Sequence, residues 1–246
     1  MKRIVFLISF IAFLGVLNAQ TVLMDENPGQ DTIVPKWGKN RQNFIHLYFG
    51  YSMFADNFSD IYTDQFFIQA PNLKWLSSHD FTIGLRYKLK ITSFYAMGLD
   101  LGWNNKTFSI EQESDKSFPT PIVHNKEKIY YNTMSLEYFN RINFDRRGNK
   151  IGKFLDIGAY GFVCIGSVHY TMDILENMNS GYSTKTEVKN YSPDYLVKNG
   201  YGLSARLGIN NFVLTARYRM SDLIKEKYNF FPEFPRLEAG IQFSIH

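Results

Sequence analysis

Apolar and polar residues alternate with a period of two in eight separate stretches of this chain, the signature of strands with unlike faces. Asn43–Phe54 sets Ile45, Leu47, Phe49, Tyr51 and Met53 against His46, Tyr48, Gly50 and Ser52. Phe81–Leu89 sets Phe81, Ile83, Leu85, Tyr87 and Leu89 against Thr82, Gly84, Arg86 and Lys88. The same pattern predicts strands over Tyr95–Trp103, Ile129–Ile142, Leu155–Ile165, Tyr201–Ile209, Phe212–Met220 and Leu237–His246. The fourth is the least regular, with Met134, Leu136 and Tyr138 facing one way and Ser135, Glu137, Phe139 and Arg141 the other.

The links between these strands alternate in length. Those after the second, fourth and sixth are short (Lys90–Phe94, Asp145–Lys153 and Asn210-Asn211), and those after the first, third, fifth and seventh are long. A soluble meander has no reason to segregate its loops in this way, whereas a membrane barrel has short turns on one rim and long loops on the other. The expectation is an all-β fold: an eight-stranded antiparallel up-and-down transmembrane β-barrel over residues 42–246. A short helix is expected at Met172–Met178 in the third long link, which runs from about Thr171 to Asn199.

Both ends fit this reading. Met1-Lys2-Arg3 heads an apolar run, Ile4–Leu17, and Leu17-Asn18-Ala19 offers small-residue cleavage before Gln20. Residues 1–19 are expected to be a cleaved signal peptide, and the Pro- and Gly-containing segment 20–41 an extended periplasmic lead-in. In the last strand Glu238, Gly240, Phe243 and Ile245 fit a polar-x-Gly-x-x-apolar-x-apolar pattern. It resembles the C-terminal signal read by the barrel-assembly machinery, which is thereby an expected partner during biogenesis. The expected address is the outer membrane of a Gram-negative-type envelope, with long loops extracellular and both termini periplasmic.

Composition is compatible without being decisive. Aromatics make up 17% of the chain, with 16 Tyr and 22 Phe, yet no later segment approaches the ~18 consecutive apolar residues of a membrane helix. Alternation hides the apolar half of a barrel strand from any average. Removing Lys2 and Arg3 with the leader takes Lys+Arg from 27 to 25 against 23 Asp+Glu, a net charge near +2. That balance gives no reason to expect nucleic acid as a partner. The single Cys164 excludes an intrachain disulfide framework,.

Leu136-Glu137-Tyr138, the turn around Gly148, and Phe154-Leu155-Asp156-Ile157-Gly158-Ala159-Tyr160-Gly161 resemble the PorT-like family of small outer-membrane barrels. The resemblance extends over about residues 42–246. The family often carries Pro shortly after its Leu-Glu, where this chain has Phe139 and Asn140. The resemblance implies the barrel fold and, for some members, a place in a protein-secretion apparatus. It assigns no chemical role to any residue.

The candidate sites follow from the inward faces. Arg86, Asp100, Glu137, Arg141, Asp156, Arg206, Arg217, Arg219 and Glu238 are expected inside a lumen that eight strands make just wide enough for side chains,. Paired, they form a structural plug; left open, a selective channel or a ligand-binding lumen. The first long link carries Phe58, Tyr62, Phe66, Phe67 and Trp75, which serve either a partner interface or a cap folded over the barrel's own mouth. Lys36, Lys39, Arg41, Arg146, Arg147, Lys150 and Lys153 form a basic edge on the short-turn side, suited to anionic lipid headgroups or, as the alternative, to docking a periplasmic protein. The five His residues are scattered, none with a Ser and a carboxylate in a local catalytic signature, and no His-x-His or acidic cluster has ligand spacing,. The expected role is a non-enzymatic accessory subunit of an envelope complex, without cofactor or metal, contacting outer-membrane lipid and other envelope proteins. The alternative is a narrow transport or ligand-binding barrel.

Overall fold

The computed structural model describes residues 36–62, 67–68, 70–114, 116, 118–144, 151–176 and 183–245. The expected leader (1–19) and most of the expected lead-in (20–35) lie outside the described residues. The strands, in chain order, are β1 (Asn43–Phe54), β2 (Ile61–Tyr62), β3 (Phe67–Ile68), β4 (His79–Lys90), β5 (Tyr95–Ser109), β6 (Lys126–Asn143), β7 (Lys153–Glu176), β8 (Ser183–Tyr191), β9 (Asn199–Ile209), β10 (Phe212–Arg219) and β11 (Leu237–Ile245).

Eight of them close into a ring of antiparallel neighbours, β1-β4-β5-β6-β7-β9-β10-β11, each paired with the next in the chain. The seam joins β1 to β11 from Leu47↔Ile245 to Phe54↔Glu238. These eight contain the eight stretches of alternating sequence. β2 and β3 pair only with each other inside the first long link.

Burial follows the alternation with its sign reversed from that of a soluble core. Along β1 the residues Ile45, Leu47, Phe49 and Tyr51 are exposed, while His46, Tyr48, Gly50 and Ser52 are buried. The same holds around the ring, where Leu99, Leu101, Leu136, Leu203, Leu207, Leu214 and Ile241 face outward. Water would penalise such a surface, and the burial of charge beneath it, heavily. Acyl chains remove the penalty on the apolar face, and the charges beneath it are paired with one another, so the barrel is built to span a bilayer. Aromatic side chains mark both borders of the apolar belt: Tyr51, Phe81, Trp103, Tyr201 and Tyr218 toward the long loops, Tyr87, Tyr95, Phe212 and Phe243 toward the short turns. Phe212 and Phe243 sit opposite each other in register with ring centroids 5.3 Å apart. Rings of this kind settle at headgroup level.

Two expectations need correction. Met172–Glu176 is not helical: β7 runs straight through it and pairs with β8 from Val168↔Tyr191 to Glu176↔Ser183, while residues 177 and 178 of the expected helix lie outside the described residues. The helical preference of Met-Asp-Ile-Leu-Glu is a few tenths of a kcal/mol per residue. Nine ladder pairs with β8, which carries Thr184, Thr186, Val188 and Tyr191, outweigh it,. The lead-in is also not extended where it is described. Gly38, at φ +145°, turns the chain so that its N–H donates to Asn43 O at 2.9 Å. That turn brings Lys39 O over the lumen, where it accepts from Lys88 Nζ at 2.6 Å.

Candidate functional site

Three layers fill the lumen from the short-turn end to the long-loop end. The first is a small apolar cluster of Phe44, Ile151, Phe154 and Val213. Gly208 faces Phe154, and a Cβ there would stand 2.0 Å from the ring edge, so only Gly lets the ring lie flat across the barrel.

The second layer is charged. Arg206, 1% exposed, reaches three carboxylates: Nη1 to Asp100 Oδ2 at 2.9 Å, Nη2 to Glu137 Oε1 at 2.8 Å and Nε to Asp156 Oδ2 at 3.3 Å. Asp100 also accepts from Arg86 Nε at 2.7 Å and from Tyr48 Oη at 2.6 Å. Asp156 is held by both Nε and Nη2 of Arg141 at 2.7 and 2.8 Å. Glu137 accepts from Ser204 Oγ at 2.7 Å and Arg217 Nη2 at 3.2 Å. Arg86 reaches across the seam to Gln242 Oε1 at 2.9 Å.

Nearer the long loops Lys106 bridges Asp80, at 3.1 Å, and Glu238. In this network the five cations Arg86, Lys106, Arg141, Arg206 and Arg217 stand against the five carboxylates Asp80, Asp100, Glu137, Asp156 and Glu238, while the buried Lys88 is met by the Lys39 carbonyl. This balance matters because an uncompensated charge in so dry an interior is far costlier than a paired one. Arg219 stands apart, paired with Glu233 at 2.9 Å and donating to Phe234 O at 2.7 Å.

Aromatic rings separate the guanidinium groups. Arg206, Arg141 and Arg86 lie 4.8, 5.5 and 5.9 Å from the centroid of Phe139, so three repelling cations gather around one ring whose faces are electron-rich,. Tyr48 lies against Gly84, where a Cβ would be 2.4 Å from the ring, and so reaches Asp100. Sequence reasoning placed Phe139 on the inward face without assigning it a role. It missed Lys106 and Asp80, because the third stretch as read stops at Trp103 and the second starts at Phe81, whereas β5 runs to Ser109 and β4 starts at His79. The alternation continues through Asn104 and Lys106 and carries the missing signal.

The third layer is an aromatic core under the mouth. Phe54, Phe108, Ile129, Tyr131, Tyr160 and Phe162 project from the strands, and all four long links contribute to the same cluster. They supply Phe58 and Ala70, then Ile110 and Phe118, then Leu196, and finally Leu223, Ile224 and Phe234. Phe58 therefore faces the barrel's own core, 5.0 Å from the Phe234 ring. Trp75, 60% exposed, remains on the outside with Nε1 donating to Phe54 O at 3.1 Å. Tyr62 and Phe67 lie in the β2–β3 ladder; their side chains, and Phe66 altogether, lie outside the described residues. Cys164 packs partly buried against this core.

Polar ties hold the cap down. Asp194 accepts from Lys227 Nζ at 2.9 Å, Lys225 Nζ at 3.3 Å and Tyr228 Oη at 3.2 Å, joining two of the long links. Hydrogen bonds from Lys227, Lys225 and Tyr228 lower this carboxyl from 3.8 to about 2. A lowered carboxyl contributes its tether above the ordinary value and loses it as pH falls through the folded one. Protease sensitivity of the 221–236 link is therefore expected to rise between pH 3.8 and about 2, with an acid-stable protease as the probe. Asp194→Asn is expected to show the same sensitivity at neutral pH, and unchanged cleavage in that variant would refute the tether.

A second polar cluster lies above the belt. His169 Nε2 meets Glu127 Oε1 at 2.7 Å, and Lys116 pairs with Glu127 Oε2. Burial alone would raise the Glu127 carboxyl, but hydrogen bonds from His169, Lys116 and Gln112 outweigh it and hold it below the ordinary range. His124 Nδ1 lies 2.9 Å from Asp173 Oδ2, while Thr120 Oγ1 stands 3.4 Å from Nε2. That hydroxyl is at the limit of hydrogen-bonding reach, so the cluster acts as a clamp between the second long link and β7. Among the described residues no group of three or more His, Cys, Asp or Glu is arranged to hold a metal ion.

No protein-family model matches the chain, and no curated protein matches it. Among solved structures it is similar to Ail, the attachment invasion locus protein of Yersinia pestis, in complex with the heparin analogue sucrose octasulfate. The identity is 12%, the match covers 82% of this chain and 97% of that one, and the TM-score is 0.31. A likeness of that size carries no information about binding. The barrel assignment rests on the closed strand ring and its outward apolar face.

Proposed function

We propose that this chain is a non-enzymatic outer-membrane β-barrel whose lumen is closed and which acts as a structural or accessory subunit of an envelope complex. A protein-secretion apparatus is the member of that class implied by the PorT-like resemblance. The short turns lie on the periplasmic side and the long loops outside, following the loop asymmetry of membrane barrels. One observation carries the reading: the lumen is filled end to end, with Arg206 tied to three carboxylates between two apolar clusters. A barrel filled in this way holds a platform in the membrane.

The platform is the part of β6, β7 and β8 that continues past the belt. Every residue of β8 is exposed. Ile122, Val123, Ile174 and Leu175 stand exposed at its far end, Leu175 by 66%. The contacts of His124 with Asp173 and of Asn125 Oδ1 with Ile174 N bring the two pairs together. An apolar tip held clear of the membrane suits a protein partner.

Recording in planar bilayers tests the closed lumen. The expected trace shows no unit conductance above leak. A stable ion-selective current altered by Arg217→Ala would instead establish the transport alternative. Affinity purification from native membranes tests the platform, with Leu175→Asp expected to lose a partner that the parent chain retains.

A further inference from the structure

The apolar belt is not uniform around the barrel. Ala205, Ala216 and Ala239 lie side by side on three adjacent strands, Ala205↔Ala216 and Ala216↔Ala239 being register pairs. Large side chains occupy the rows on either side, so the outer surface is hollowed there. One outward-facing row nearer the short turns lies a groove of about 470 Å³ lined by Phe144, Leu207, Ile209, Phe212, Leu214 and Ile241. Its volume is that of a small-molecule site, and its lining is almost wholly apolar. Lys153 stands at its rim, in register with Ile209 and at the level of the Phe212–Phe243 pair. Lys153 makes no ion pair among the described residues.

We propose that this groove holds one acyl chain of an anionic phospholipid, with its phosphate at the Lys153 ammonium and the chain reaching toward the alanine row. Three independent features support that occupant. The groove opens onto the bilayer-facing surface, so acyl chains are the medium that fills it. Lys153, the one cation among its described lining residues, lies at the border aromatic ring, where headgroups lie. The three alanines lie two residues farther from the short turns along their strands than Leu207, Leu214 and Ile241, so the hollow extends from the groove toward the middle of the belt. A second copy of the barrel packed on the same row is the competing occupant, but a copy seated there would leave the rim cation without a partner. The proposal rests on the membrane-embedded reading of the barrel.

Native mass spectrometry of the full chain released from detergent tests it, with phosphatidylglycerol or phosphatidylcholine of identical acyl chains added in turn. The parent barrel is expected to retain a single phosphatidylglycerol. Lys153→Gln is expected to reduce the preference for phosphatidylglycerol over phosphatidylcholine about fivefold, the weight of one basic residue near an anionic surface. Leu214→Trp fills the groove and is expected to lose the retained lipid, whereas Leu101→Trp, elsewhere on the belt, keeps it. Equal retention by the two Trp variants, or an unchanged preference in Lys153→Gln, would overturn the proposal. So would a mass of two chains in place of the lipid adduct. Flotation of every variant with vesicles is a separate check: a chain that fails to float contradicts the membrane reading, and one that floats without retaining lipid contradicts only the groove.

Discussion

Arg206→Ala is expected to destabilise the barrel by about 3–5 kcal/mol, the usual cost of removing one partner from a buried ionic network. The guanidinium is the group that touches Asp100, Glu137 and Asp156 together, so its loss takes one cation contact from each and leaves the buried network with one unmatched negative charge. Denaturant titration of the detergent-solubilised barrel, followed by the gel-mobility difference between folded and unfolded forms, measures the effect. Arg206→Lys is expected to recover only part of it, since one ammonium cannot reproduce a planar fork directed at three acceptors. Adding Glu137→Gln to Arg206→Ala removes one unmatched negative charge and is expected to restore some stability. A loss below about 1 kcal/mol in Arg206→Ala would mean that water reaches the carboxylates, and the filled-lumen reading would fail with it.

Leu99→Arg supplies the second large effect. Leu99 is 48% exposed near the centre of the belt on β5. On a soluble surface such a replacement would change stability by no more than about 0.5 kcal/mol. On the lipid face of a barrel at mid-depth it is expected to cost about 2–4 kcal/mol. Folding equilibria in phospholipid vesicles read the difference directly, with Lys128→Arg, above the belt on β6, as the variant expected to change nothing. Equal stability of Leu99→Arg and the parent would remove the membrane from the account. The contrast is sharp because the two environments assign opposite values to the same exposed leucine.

Much of the fold was legible residue by residue. Strand identity and face are local properties: Ile45, Leu47 and Phe49 alternate with His46, Tyr48 and Gly50 because successive side chains leave a strand on opposite sides. The apolar set was the outward one, as the loop asymmetry indicated. Where the reading fell short, the missing information was nonlocal. Nothing in Met172–Glu176 shows that Ser183–Tyr191 will fold back alongside it, and without that partner a helix is the better local choice. Phe58 presents the same case. An aromatic residue in a long link is equally compatible with a partner's surface and with the core below, and only Phe118 and Phe234 arriving from two other links decide between them.

The candidate site divides in the same way. That Arg86, Asp100, Glu137, Arg141, Asp156, Arg206, Arg217 and Glu238 carry charge on faces opposite the apolar ones is written in the sequence. Which cation meets which anion is not. Arg206 and Asp100 are 106 residues apart in the chain, and Arg86 and Gln242 are 156 apart. Their meeting depends on strand count, register and the closing of β1 on β11. By itself the sequence determined the strands, their two faces and the division into short and long links, because a period of two and a turn are short-range features of the backbone. Only the tertiary structure decided that the lumen is filled and the mouth capped. Charge pairing and core packing depend on distances across the barrel, and those distances exist only once the ring has closed.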